Sequence, residues 1–252
     1  MVENFCFYNF IKFIDDFSRM CWVYFLINKS DTLNVFKKFK ALVELQSGYK
    51  LKKLSSDRGG EYTLNECQDF CANLGMERQL TVAYSPQQNR VSERRNIIIC
   101  EMARSIMTVK EMSMTEKEML VTFWAETVST TVYLQNKCFT TSVTRKTPFI
   151  AFTRRKPGGK HLKVFGCICY THVPSSLRQK FDGKAGKGVF VGYESCEKGY
   201  RVYDLKSDKI VLLKSVIFNK DKSWSWEGNQ MKSVSMPLNL EGNEVEGENC
   251  DE

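Results

Sequence analysis

Histidine is almost missing from this chain of 252 residues: only His161 and His172 are present. No His/Cys spacing makes a zinc site, which sets aside the zinc-stabilised folds. Long apolar runs are missing as well. Nothing approaches the roughly 18 consecutive apolar residues that a membrane-crossing helix needs. No basic N-terminal region leads into an apolar one, so no signal peptide is expected. There are no internal repeats. Lysine and arginine are missing from residues 236–252, which carry six acids. The whole chain has a net charge of +8, so residues 1–235 hold 37 basic against 23 acidic residues, a net of +14. A body that basic suits a polyanion such as DNA or RNA, although a merely solvated basic surface has the same composition.

What is present is an ordinary globular composition, 42% hydrophobic and 26% charged, at a length that allows one large or two modest domains. Ten cysteines could suggest disulfides. Their placement points elsewhere. Cys67 and Cys71 share a predicted helix face with Leu64, Phe70 and Leu74, and Cys167 and Cys169 sit in an apolar, strand-like run. Buried free thiols of a reducing compartment fit better than bridges.

Residues 10–15 and 21–27 predict an antiparallel pair around a turn at Asp16-Phe17-Ser18-Arg19. Ser30 or Asp31 could cap a helix carrying Leu33, Phe36, Phe39 and Val43, with Gly48 as its stop. Residues 49–56 predict a strand that delivers Asp57 to its C-terminal end. Thr63 with Glu66 forms a capping box for a helix ending near Gly75, and residues 76–82 predict another strand. Ser85 has the marks of an N-cap, Pro86 of the first helical position and Gln88 of the third. The helix from about 86 to 107 places Asn89, Glu93 and Asn96 on one face, with Val91, Ile98, Met102 and Ile106 expected in the core. Residues 118–137 predict a further helix. The run Thr153-Arg154-Arg155-Lys156-Pro157-Gly158-Gly159-Lys160 reads as a linker. After it, residues 163–171, 188–192, 199–205 and 210–218 predict four strands of a small β-barrel-like module. The expected units are 1–152, a linker 153–162, the β module 163–224, and an acidic disordered tail 225–252.

Asp57 lies in Leu54-Ser55-Ser56-Asp57-Arg58-Gly59-Gly60-Glu61-Tyr62-Thr63, and Glu93 in Tyr84-Ser85-Pro86-Gln87-Gln88-Asn89-Arg90-Val91-Ser92-Glu93-Arg94-Arg95-Asn96, with 35 residues between the two acids. Carboxylates hold hard divalent cations through oxygen. Two such cations about 3.5–4 Å apart stabilise the attacking and leaving oxygens of an in-line displacement. A strand end fixes one acid and a helix across the strand ends brings the other. An isolated Asp…Glu pair occurs in every protein, so specificity comes from the surrounding words.

Those words resemble the integrase core of copia-type retrotransposons. The resemblance rests on Asp57-Arg58-Gly59-Gly60-Glu61-Tyr62 and on the Ser85–Asn96 segment. It also rests on Ile14-Asp15-Asp16-Phe17-Ser18-Arg19 with Trp22-Val23-Tyr24-Phe25, on Phe123-Trp124-Ala125-Glu126, and on Lys146-Thr147-Pro148. His161-Leu162-Lys163-Val164-Phe165-Gly166-Cys167 and Phe190-Val191-Gly192-Tyr193 resemble the SH3-like module that follows the core in these polyproteins. About residues 8–224 are covered. The resemblance implies an α/β, RNase H-like core, a mixed five-stranded sheet flanked by helices, followed by a small SH3-like β barrel. It implies Mg²⁺ or Mn²⁺, joining of element DNA to target DNA, a homo-oligomer and a nuclear place of action, with no membrane. Asp57 matches the second catalytic acid and Glu93 the third, both metal-binding. Tyr84, Asn89 and Asn96 match positions lining the site near the DNA end, and Arg90, Arg94 and Arg95 would face phosphates.

Three departures qualify those expectations. The first acid of the family's triad, expected in a word like His-x-Asp-x-x-Gly-Pro on a preceding strand, has no counterpart in residues 1–9. The expected core therefore lacks its first strand, and the chain reads as a polyprotein fragment. Asp15 and Asp16 are tempting substitutes, but in the family they accompany the first acid. Arg90 stands where the family has glycine, which suits a helix start only at negative φ. The stretch 107–122 is longer than the family's connection. The expected function is an integrase core fragment that binds DNA and is inactive alone. A non-catalytic nucleic-acid-binding module with relic acids is the alternative. A ribonuclease H-type nuclease is a weaker third.

Overall fold

The computed structural model describes residues 9–26, 28–56, 65–80, 86–109, 117–172, 185–194, 199–224 and 226. Strands β1 (Asn9–Ile14) and β2 (Cys21–Leu26) pair antiparallel, with Phe13 opposite Trp22 and Ile14 opposite Cys21. Asp15 makes the turn between them: its Oδ2 accepts from the Ser18 N–H at 2.8 Å and the Ser18 hydroxyl at 2.5 Å. Helix α1 (Thr32–Ser47) lays Val35, Phe36, Phe39 and Val43 onto Ile11, Phe13 and Leu54. The Phe13 and Phe39 rings stack 4.1 Å apart. Gly48 ends the helix at φ 72°, with its N–H on the Glu44 carbonyl. Glycine accepts that left-handed geometry without a Cβ penalty.

Strand β3 (Lys53–Ser56) runs parallel to β4 (Glu77–Leu80), connected through α2 (Asn65–Asn73). Among the described residues the two ladders are separate, yet one core joins them: Ile11, Phe13 and Leu26 from the first, Leu54 from the second, with Cys67, Cys71 and Met76. The strand predicted over 49–56 begins only at Lys53. Glu44 Oε1 accepts the Leu51 N–H at 2.7 Å, so that backbone is held by α1 before the ladder starts. The expected capping residue Thr63 and residues 81–82 of the second predicted strand lie outside the described residues. Cys21, Cys67, Cys71, Cys167 and Cys169 are buried free thiols, as expected. Burial pushes Cys169 up to about 12.

Helices α3 (Pro86–Val109) and α4 (Lys117–Lys137) complete this part. The core stripe of α3 differs from expectation. Ile99, Ala103 and Met107 are buried, whereas Val91 is half exposed. The expected stripe began at Val91; the helix is rotated so that position 99 faces Cys21, Val128 and Val132. Asn136 of α4 clamps β2 inside the protein. Its Oδ1 accepts the Cys21 N–H at 3.0 Å and its Nδ2 donates to the Cys21 carbonyl at 2.7 Å. A side-chain amide thus satisfies both backbone groups. Helix α5 (Pro148–Thr153) follows, with Thr147 accepting the Ile150 N–H.

The β module has five strands where four were predicted. They are β5 (Cys167–His172), β6 (Ala185–Tyr193), β7 (Tyr200–Asp204), β8 (Lys209–Leu213) and β9 (Val216–Ser223), in the order β8-β7-β6-β5-β9. The single strand expected over 210–218 is two strands at opposite edges. In a flat sheet those edges would stand about 19 Å apart at the usual strand spacing. Lys214 and Ser215 alone connect them, and three Cα steps reach only about 11 Å. The sheet therefore curls until its edges meet at that corner, which is how five short strands become barrel-like. Trp226, within the segment expected as a tail from 225, packs on Phe123 at 5.1 Å and on Tyr203 at 6.1 Å. The rest of that tail lies outside the described residues.

The module sits directly on α4. Arg201 of β7 grips Glu126 with Nε–Oε2 at 2.8 Å and Nη2–Oε1 at 2.6 Å, and Glu194 stands 3.3 Å from Nη1. Burial pushes the Glu126 carboxyl up, and the guanidinium opposes that rise. A Cβ on Gly192 would lie 3.0 Å from Thr130 Oγ1 and 3.3 Å from Glu126 Oε2, so β6 approaches the helix as closely as it does only with glycine there. The segment read as a linker is tied down as well. The Tyr133 hydroxyl stands 2.6 Å from His161 Nε2, and the Tyr200 hydroxyl donates to the His161 carbonyl.

Asn136→Ala strands the buried N–H and C=O of Cys21. The expected loss is about 2–6 kcal/mol, from two orphaned groups at about 1–3 kcal/mol each, read from urea unfolding. His161 gives a pH dependence. Burial, then Lys137 and Lys163, hold it below its ordinary 6.5. As pH falls through 6.5 the unfolded chain takes up this proton before the folded one, so stability drops. The thermal midpoint should fall between about pH 7 and pH 5.5, and less steeply in His161→Gln.

Candidate metal and nucleic-acid site

The residues expected to do chemistry sit at the end of β3 and along α3. Asp57 directly follows the last residue of β3 but, with Tyr84, lies outside the described residues. Asn89 falls within α3, and its side chain is also outside them. Glu93 is described. It is exposed on the flank of α3 and takes part in no ion pair among the described residues. Asn96, one turn on, is half-buried. Successive residues of a helix are rotated by about 100°, which separates the three arginines. Arg90 and Arg94 are exposed. Arg90 lies inside regular helix and is not among the positive-φ residues, so no left-handed strain arises at the position where the family has glycine.

Arg95 is placed differently from Arg90 and Arg94. It is half-buried on the stripe that continues to Ile99 and Ala103, beside the Cys21 thiol, and its Nε and Nη2 are buried without a hydrogen-bond partner among the described residues. Burial raises the Cys21 thiol, and the adjacent Arg95 charge opposes that rise. A guanidinium facing the β2 seam is not presented to phosphates on the outer face of α3. The sequence concealed this because Arg94 and Arg95 are chemically alike and only the helix rotation distinguishes them.

Sequence reasoning also missed Arg78. It is half-buried on β4, near the Cys71 thiol, with Nε and Nη2 unpartnered among the described residues. The signal was there: strand alternation places residue 78 on the same side as buried Met76. Ser56, immediately before Asp57, likewise has a buried hydroxyl without a partner among the described residues. The two acids considered as substitutes make other contacts. Asp15 holds Ser18, and Asp16 pairs with Arg19 at 2.5 Å.

The chemistry of the donors fits a hard divalent cation only in part. Glu93 offers an open carboxylate, Asp57 is the other acid at hand in sequence, and the described residues contain no cluster of three His, Cys, Asp or Glu that could hold a metal. No helix among the described residues is long and apolar enough to cross a membrane.

Comparison with known proteins bears on the same two regions. Residues 1–86 match the family model of the integrase core domain, and residues 167–232 match that of the retroviral polymerase SH3-like domain. The retrovirus-related Pol polyprotein from transposon TNT 1-94 of Nicotiana tabacum is 39% identical over 213 residues, 84% of this chain and 16% of that protein. The corresponding polyprotein from transposon RE2 of Arabidopsis thaliana is 28% identical over 219 residues, 87% of this chain and 14% of that protein. The chain thus spans only a small part of the relatives it matches. Among solved structures, the simian T-cell lymphotropic virus intasome in complex with PP2A regulatory subunit B56 gamma has 13% identity and a TM-score of 0.46, over 82% of this chain and 69% of that one. The HTLV-2 integrase catalytic core domain in complex with magnesium has 16% identity and a TM-score of 0.42, over 57% of this chain and 84% of that one. At these scores the structural likeness adds nothing to the family matches. The chain belongs with the retrovirus-related Pol polyproteins of transposons, carrying an integrase core domain followed by a retroviral polymerase SH3-like domain.

Proposed function

We propose that this chain engages DNA as part of an integrase, with Asp57 and Glu93 as its metal-binding acids, and that by itself it binds DNA without joining it. The observation that carries the reading is the presentation of Glu93. It stands open to solvent on a helix whose opposite side is packed against β2 and α4, and that helix begins where the match to the integrase core domain ends, at residue 86. Mg²⁺ or Mn²⁺ is the cation that suits two carboxylates. When bound, such a cation stabilises charge on phosphoryl oxygens. The protein's own part is positional: β3 fixes the backbone leading to Asp57, and α3 fixes Glu93 and Asn96. Arg90 and Arg94 supply the phosphate-facing charge, without Arg95. A nuclear place of action and assembly into a homo-oligomer belong to this reading.

The inactivity follows from a set of two acids. Asp15 is committed to its turn, whereas Asp16, almost fully exposed, makes only a surface pair with Arg19, so Asp57 and Glu93 are the two acids this reading relies on. Two carboxylates hold a pair of cations weakly. A two-acid set equally favours the second reading, a nucleic-acid-binding module whose acids do no chemistry.

Binding of duplex DNA by fluorescence anisotropy across a salt series separates the two readings. For wild type, affinity should fall steeply with salt and rise several-fold with Mg²⁺. Asp57→Asn/Glu93→Gln should remove the Mg²⁺ response and leave the salt dependence. Indifference to both Mg²⁺ and the double substitution would assign the chain to the non-catalytic module. A strand-transfer assay with Mn²⁺ should yield no joined product; product that disappears in Glu93→Gln would refute the inactivity.

A further inference from the structure

We infer that the surface around α5 is a second anchoring site for duplex DNA, apart from the acids and from α3. The inference rests on the DNA reading above and adds where the backbone is held. Residues 127–181 contain ten lysines and arginines and no aspartate or glutamate, although residues 1–235 hold 23 acids. Six of those cations gather at the two ends of α5. Arg145 and Lys146 precede the helix; Arg154, Arg155, Lys156 and Lys160 follow it. All six are exposed, and none takes part in an ion pair among the described residues.

The helix beneath them is fastened rather than loose. Pro148 is buried and Thr147 caps the first turn. Phe152 sets its edge against Trp22 at 5.0 Å, and Lys137 lies over the Phe149 ring at 4.5 Å. Arg154 donates through Nη2 to the Tyr49 hydroxyl at 3.0 Å. Arg145 and Arg154 both hold positive φ, 57° and 61°, so the chain turns sharply at each end of the helix. Charges on a fixed frame lose less freedom on binding than charges on a free loop.

Spacing and chemistry favour a duplex. The six residues of α5 put roughly 9 Å of helix between the two clusters. With side-chain reach added, they can meet phosphates on both sides of a groove about 12 Å wide. Arginine is the residue suited to phosphate oxygens. A membrane-surface site would add apolar side chains that enter the lipid. Residues 140–160 expose no large hydrophobic side chain, although Phe139 and, against Arg154, Tyr49 are exposed beside them, so a membrane surface is the competing reading that the vesicle measurement decides.

The test uses the full chain and a duplex of about 20 base pairs, read by anisotropy across a salt series. Arg154→Gln/Arg155→Gln/Lys156→Gln/Lys160→Gln is compared with Lys206→Gln/Lys209→Gln/Lys220→Gln/Lys222→Gln, which removes the same charge from exposed positions on the β module. The first set should lower the slope of log affinity against log salt by roughly 3–4, at about 0.9 per phosphate contact, and the second by much less. Lys156→Gln/Lys160→Gln, two loop substitutions, should give about half the effect and guards against misfolding. Equal losses in the two quadruple variants, or an unchanged slope in the first, overturn the inference while leaving DNA binding intact. Absence of DNA binding by wild type overturns the underlying reading. If anionic vesicles bind wild type and not the first variant, while DNA binding is unaltered, the surface belongs to a membrane and the inference also falls.

Discussion

Helix α4 is covered on both sides, and the arrangement of the molecule follows from how it tolerates that. A helix with two buried faces needs side chains that are narrow and need no water. Thr127 and Thr130 meet that need; Thr131, equally buried, leaves its hydroxyl without a hydrogen-bond partner among the described residues. Thr127 satisfies its hydroxyl within the helix, donating to the Phe123 carbonyl at 2.6 Å. Thr130 lies under Gly192, where a bulkier pair would force the β module away. The helix therefore fixes two things at once: Asn136 holds the β2 backbone, and Glu126 holds Arg201. The second contact is strong for a particular reason. A buried carboxylate is costly unless paired and fully hydrogen-bonded, and a bidentate guanidinium supplies both. Core and module share one buried helix, and the module cannot leave α4 without releasing this pair.

Much of this was readable in advance where one periodicity governs one face. Phe36, Phe39 and Val43 announced α1, and Gly48 announced its end. The β1–β2 pair was legible from its aromatic and β-branched residues. Legibility failed where two elements competed for the same residues. The stripe of α3 could be drawn through Val91 or through Ile99, because apolar residues stand at both, and only docking against β2 and α4 decides. Residues 210–218 read as one strand, since neither Lys214 nor Ser215 forbids extended backbone. The break is imposed by closure of the sheet, which no local pattern encodes. Glu126 was noticed as part of a family word, but its partner lies 75 residues away, beyond any spacing rule.

The candidate site was legible in a different sense. Its words identify an integrase relationship through Asp57 and Glu93, whereas rotation about the helix axis sorts the neighbouring arginines. Sequence alone treated Arg90, Arg94 and Arg95 as one basic group. Packing divides them, because Arg95 falls on the side that carries Ile99 and Ala103. A run of like charges along a helix is therefore read at the resolution of single residues.

Acids and bases are used differently across the fold. Several carboxylates serve structure: Asp15 forms a turn, Glu44 holds Lys40 and the Leu51 backbone, Glu126 binds Arg201, and Asp204 holds Ser207. Of these, Glu44 and Glu126 are paired with cations, whereas Asp15 and Asp204 hold neutral serines and keep their charge. Many cations have no such employment, and those flanking α5 are surrounded in sequence by no acid at all. Mutual repulsion among them opposes folding, and the ring contacts of Phe149 and Phe152 act against it. Glu126 is the one buried acid among the described residues. The separation of charge is therefore one of position along the chain: residues 127–181 present cations with no acid among them, and net charge alone understates how polyanion-directed that stretch is.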